Sequence, residues 1–69
     1  MTAKTRRKIV KIGPSSFVSL PADWMRGMRL KNGDEVDVFY DGIVVVVPKN
    51  APIDAGLVRR ELDRIISIL

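Results

Sequence analysis

The stretch Lys11 to Pro21, KIGPSSFVSLP, joins two alternating apolar runs through a corner of turn-forming residues. Upstream of the corner, Arg7 to Ile12 is rich in β-branched residues, with Val10 and Ile12 on one face and Arg7 and Lys11 on the other. Downstream, Phe17 to Leu20 resumes period two and turns Val18 and Leu20 inward. With Gly13-Pro14-Ser15-Ser16 as the turn, this spacing predicts a hairpin whose loop exceeds two residues, Ile12 opposite Ser16 and Val10 near Val18. Pro21 then ends the strand and opens a short helix over Ala22 to about Arg29. Asp23 suits the positive end of that helix, Trp24, Met25 and Met28 are core filler, and Gly27 limits it to about two turns.

Further along, Lys31-Asn32-Gly33-Asp34 is a turn in which glycine permits a positive φ. Glu35 to Tyr40 alternates, placing Val36, Val38 and Tyr40 on one face and Glu35, Asp37 and Phe39 on the other. Asp41-Gly42 is the signature of a two-residue type I′ hairpin, leading into the unbroken apolar strand Ile43 to Val47, closed by Pro48. Such a strand needs cover on both faces, and a chain this short has little to spare. After the linker Asn50-Ala51-Pro52, Asp54 is placed to cap an amphipathic helix of about four turns. Its stripe is Val58, Leu62, Ile65 and Leu69, widened by Leu57, Ile66 and Ile68, with Arg59, Arg60, Asp63 and Arg64 on the polar side. A helix of this length is unstable alone and must pack on something.

At 69 residues with no Cys and no His, the chain allows one small domain. Disulfides, the common zinc sites and catalysis by a His base or a Cys nucleophile are excluded. What remains to supplement a small core is a partner chain, so an obligate oligomer is expected. The N-terminus lacks the apolar segment of a signal peptide and no apolar run is long enough to span a bilayer, which leads to the expectation of a cytoplasmic protein with no membrane partner. Carboxylates at Asp34, Glu35, Asp37 and Asp41 cluster without a His, a Cys or a phosphate loop. They are expected to solubilise a strand edge, so no catalytic residue, metal site or cofactor is assigned.

Charge is distributed unevenly. Residues 1–31 hold eight bases (Lys4, Arg6, Arg7, Lys8, Lys11, Arg26, Arg29 and Lys31) against Asp23 alone, a balance of +7, whereas residues 32–69 carry −3. A positive field borne on an arm and a strand suits a phosphate backbone, by Coulomb attraction and counterion release.

Taken in order, "IGPSS", "LP", "LKNGDEV", the "DG" turn and "VVVVP" make the span Arg7 to Pro48 resemble the AbrB/SpoVT/MazE group of swapped-hairpin DNA-binding proteins. The resemblance implies a mainly β fold in which two chains interleave their hairpins into one barrel-like homodimer, with a short helix between the hairpins. With the charge and amphipathic patterns on either side of that span, the chain is expected to divide into a basic arm over 1–6, the swapped-hairpin domain over 7–50, and a linker with an amphipathic helix over 51–69 serving self-association. The dimer core would take Val10, Ile12, Val18, Leu20, Val36, Val38, Val44, Val45 and Val46. In this family the DNA-facing surface comes from the first strand, the turn and the start of the second strand. Carried over, these are Arg7, Lys8 and Lys11 with Ser15 and Ser16, to which the arm adds Lys4 and Arg6.

One departure concerns Ser19, which stands where many members place an Arg just before the apolar-Pro pair. Serine hydroxyls contact phosphate but specify bases poorly, whereas Arg bridges guanine O6 and N7, so the departure implies reduced affinity, a different base preference, or compensation by Lys4 and Arg6 in the arm. Turn formation accounts for Ser15 as well as DNA contact does. A solvated helix face is the plainer reading of Arg26 and Arg29, although Arg26 is counted with the DNA-facing set. The reading is therefore a homodimeric regulator on double-stranded DNA, not an enzyme, with Val58, Leu62, Ile65 and Leu69 extending dimers toward tetramers. The alternatives are an antitoxin whose C-terminal helix binds a toxin protein, ranked behind self-association, and an architectural chromosome-binding protein.

Overall fold

Two separate antiparallel hairpins, each followed by a helix, make up the chain. The computed structural model describes residues 2–50 and 52–69; Met1 of the arm and Ala51 of the linker lie outside the described residues. The order is β1 (Val10–Ile12), β2 (Ser15–Phe17), α1 (Ala22–Gly27), β3 (Val36–Tyr40), β4 (Val44–Pro48) and α2 (Ala55–Ile66).

The first hairpin is tighter than its composition suggests. Ile12 pairs with Ser15, Lys11 with Ser16 and Val10 with Phe17, so the loop is Gly13-Pro14 alone. The expected register of Ile12 on Ser16 is corrected by one residue. Gly13 takes φ of +59° ahead of the φ that the Pro14 ring locks, and this combination is the demand of a two-residue II′ turn. Ser15 and Ser16 accordingly lie in β2 rather than in the turn. Phe17, not Val18, shares a face with Val10 and Ile12, and Val18 follows the ladder.

The helix α1 begins where Pro21 presents its carbonyl to the Met25 N–H at 3.1 Å. It closes with paired bonds, Leu30 N–H to Met25 O at 2.8 Å and Arg29 N–H to Arg26 O at 3.1 Å, the two bonds of a Schellman motif. The residue in the left-handed region there is Arg29, with φ of +56°, at a position that usually takes glycine. Gly33 does take positive φ, +97°, and Asp34 N–H reaches Lys31 O at 3.0 Å, as a type II turn requires.

In the second hairpin Tyr40 pairs with Val44 and Val36 with Pro48. The loop therefore contains Asp41, Gly42 and Ile43, and Gly42 keeps an ordinary φ. The expected two-residue I′ turn is replaced by a three-residue loop, which removes Ile43 from the strand. Pro48 closes the ladder at its end, where a missing N–H costs nothing. Val36, Val38, Tyr40, Val44 and Val46 share one face of this hairpin; Asp37, Phe39, Val45 and Val47 share the other. Beyond the ladder, Glu35 Oε2 and Lys49 Nζ meet at 3.1 Å.

Asp54 caps α2 as expected, its Oδ1 accepting the Leu57 N–H at 2.8 Å. The helix is shorter than the predicted four turns, because Ile68 and Leu69 N–H groups turn back to the carbonyls of Ile65 and Ile66 three residues earlier. Leu69 therefore falls past the end of the helix, 97% exposed.

No hydrophobic side chain among the described residues is fully buried. The chain exposes 6550 Å², whereas a folded monomer of 7.7 kDa exposes about 4,300 Å². Its radius of gyration is 13.0 Å, against about 11 Å for a compact domain of this length. Val10, Ile12, Phe17, Val38 and Val44 are all at least half exposed. The apolar material for a core is present, on faces that a single chain does not bring together.

Candidate nucleic-acid interface

Cross-strand partners in an antiparallel ladder point to the same side, so the register of the first hairpin sorts its side chains. Lys11 and Ser16 stand opposite each other on one face, and Val10, Ile12, Ser15 and Phe17 share the reverse. The structure thus separates the two serines, bringing Ser16 to Lys11 and placing Ser15 with the apolar set.

Lys4, Arg6, Arg7 and Lys8 lie in the stretch that leads into β1 without regular structure, and all are exposed. Ser19 lies past the end of β2. Arg26 sits in the last turn of α1, also exposed. Among the described residues none of these bases has a carboxylate within 4 Å; the ion pairs join Lys49 to Glu35 and Arg64 to Glu61. The bases of the arm and of β1 therefore keep their charge available to an external anion, and an exposed cationic arm leading into a strand that bears Lys11 is an arrangement suited to successive phosphates.

Four acidic residues of the second half, Asp34, Glu35, Asp54 and Glu61, are used locally. Asp34 Oδ2 accepts the Lys31 N–H at 3.0 Å, closing its own turn, and Glu35 pairs with Lys49. No group of three or more metal-ligating side chains gathers among the described residues. Likewise no helix there is long and apolar enough to cross a membrane.

Two features escaped the sequence reading. The ring of Phe17, 50% exposed, belongs to the apolar face, a fact that depends on the one-residue register and so on Gly13. Arg29 is the other: nothing in its side chain favours the left-handed region, and only the bonds closing α1 reveal it. A third area was legible in part. Phe39, Val45 and Val47 of the second hairpin and Val58, Leu62 and Ile66 of α2 line an open apolar cavity of about 510 Å³.

Against known protein families, residues 9–54 match the family described as "Antidote-toxin recognition MazE, bacterial antitoxin". The match spans both hairpins and α1 and stops at the residue that caps α2. No curated protein and no solved structure matches the chain significantly.

Proposed function

Since the chain belongs to the MazE family of bacterial antitoxins, we propose that it is a homodimeric DNA-binding regulator whose basic arm and first hairpin lie along duplex DNA. The observation that carries this reading is the run of bases Lys4, Arg6, Arg7, Lys8 and Lys11, exposed and free of carboxylates. Homodimerisation is supported by the surface left uncovered. The excess over a folded monomer, about 2,200 Å² per chain, is of the size that obligate partners bury. The apolar faces of the two hairpins, Val10, Ile12 and Phe17 on one and Val36, Val38, Val44 and Val46 on the other, would meet in an interleaved barrel. Leu20 and Val18 flank the first of them, and Val45 lies on the opposite face from Val44 and Val46.

Titrating a labelled duplex by anisotropy at several salt concentrations tests the reading. Affinity should fall steeply, with a slope of about −0.9 for each phosphate neutralised. Binding that ignores salt, or no binding to any duplex, overturns it. Selection from a random duplex pool then separates a sequence-specific regulator, which enriches a sharp motif, from an architectural protein, which enriches none.

A second reading, toxin neutralisation, is favoured by the description of the family itself. The DNA-binding and toxin-binding roles are compatible, because the bases assigned to DNA fall before residue 32, on elements other than α2. A small toxin-like reading frame beside the gene, and a stable complex between the two products, would support it.

A further inference from the structure

The helix α2 turns its apolar stripe toward Phe39, Val45 and Val47 across an open cavity, and its own chain covers that stripe only in part. Its backbone stays more than 8 Å from both hairpins, Cα to Cα, and Ile66 and Phe39 on the two sides of the intervening cavity remain 65% and 60% exposed. The cavity of about 510 Å³ accommodates the side chains along one helix face. A whole helix of twelve residues, about 10 Å across and 18 Å long, does not fit. An occupant therefore lies over its mouth and contributes one apolar face.

The rim shows what kind of face. Among the lining residues are one cation, Arg59, and one anion, Asp63, four residues apart and so adjacent on the same edge of the helix. They are not paired with each other, while Arg64 is engaged with Glu61 at 3.3 Å on the far side. A wholly acidic or wholly basic partner would satisfy half of this edge and oppose the other half. A second copy of α2 running antiparallel satisfies both halves, because it carries the same two charges in reverse order. The apolar residues Val58, Leu62 and Ile66 are evenly spaced about Leu62, so reversal about that residue superposes the stripe on itself.

We propose that α2 pairs antiparallel with α2 of a second copy of this chain, about a two-fold axis near Leu62, with Arg59 of each helix against Asp63 of the other. The paired stripe and the face of Phe39, Val45 and Val47 then enclose the cavity. This assembly contact is separate from the barrel and from DNA binding, and it holds whether or not either forms.

The chain has no cysteine, so single cysteines introduced into the full-length protein report the contact by disulfide formation under mild oxidation. Leu62→Cys should link to itself at least about tenfold faster than Arg60→Cys on the polar side. Val58→Cys and Ile66→Cys should link to each other, when mixed, faster than either links to itself. Equal rates for Leu62→Cys and Arg60→Cys would overturn the proposal and point to closure of α2 on its own hairpin or to a foreign partner. Faster self-linking by Val58→Cys would overturn the antiparallel direction.

The edge charges provide a readout that leaves the stripe intact. Added to Leu62→Cys, Arg59→Asp makes the edge wholly acidic and Asp63→Arg makes it wholly basic. Each alone should slow linking about tenfold through like-charge repulsion. Mixing the two variants should restore the rate. Within each chain the altered charges still repel, so restoration arises only between chains, and its absence would overturn the Arg59–Asp63 pairing.

Discussion

Lys11 lies directly opposite Ser16 in the ladder of the first hairpin. Their shared face makes the hydroxyl a neighbour of the ammonium group, whereas Ser15, one residue earlier, falls with Ile12 on the apolar side. Lys11→Ala should therefore lower DNA affinity and flatten the salt dependence by about 0.9 per chain. Ser16→Ala should weaken binding by about 1 kcal/mol, the net worth of one hydrogen bond, and Ser15→Ala should leave it unchanged. Replacing Arg59 and Arg60, far along the chain on α2, should not alter the salt slope. Anisotropy titrations of the four variants check this, and equal losses for the two serines would contradict the assigned faces.

Stability should depend on protein concentration. With no hydrophobic side chain fully buried among the described residues, a lone chain gains too little from burial to offset its conformational entropy. Dimer formation would then supply the folding energy, and mass action would raise the thermal midpoint as concentration rises. Val46→Asp, on the face shared with Val38, should abolish cooperative unfolding at every concentration. Thermal melts over a hundredfold concentration range distinguish the outcomes, because a monomer that folds unaided would show a constant midpoint.

Element types were readable in the amino-acid sequence wherever residue chemistry was local. Asp54 was identifiable as a cap and Gly33 as a positive-φ turn residue because each acts within its own few residues. The alternation of Val36, Val38 and Tyr40 likewise marked the faces of β3 correctly. Register was not legible to the same depth. Ser15 and Ser16 have turn chemistry, yet a positive-φ glycine followed by proline completes the turn in two residues and leaves both serines to the strand. Asp41-Gly42 has the composition of a two-residue turn, but Gly42 does not adopt the left-handed conformation that such a turn needs. The arm is marked by its charge, and the apolar cavity emerges only when hairpin and helix are placed side by side.

Backbone conformation at Gly13 and Arg29 yields opposite expectations. Gly13 sits at φ of +59° with open space where a Cβ would be, so Gly13→Ala meets no clash and its cost is the backbone alone, about 1–2 kcal/mol. Arg29 already bears that kind of cost at +56°, so Arg29→Gly should stabilise the fold by up to about 1 kcal/mol. Urea denaturation reads both, and a destabilised Arg29→Gly would show that the guanidinium makes a contact worth more than the strain it imposes. In that event the DNA affinity of the same variant becomes informative, since strained residues persist where the side chain has work to do.

The cap of α2 allows the role of that helix to be separated from the rest. The Asp54 carboxylate satisfies the Leu57 N–H at 2.8 Å and places a negative charge at the positive end of the helix dipole. Asp54→Ala should remove about 1 kcal/mol of helix stability, a large fraction for a twelve-residue helix that is marginal by itself. Asp54→Asn keeps the hydrogen bond and should retain most of it. Helical signal by circular dichroism should fall for Asp54→Ala and recover for Asp54→Asn, and the disulfide rate of Leu62→Cys should follow the helical signal. DNA affinity measured as binding of one dimer should stay at the parent value, because the bases that would meet phosphate all precede residue 32. A parallel loss of DNA binding would instead show that α2 holds the barrel together, moving the helix from a contact between copies to a part of the DNA-binding unit.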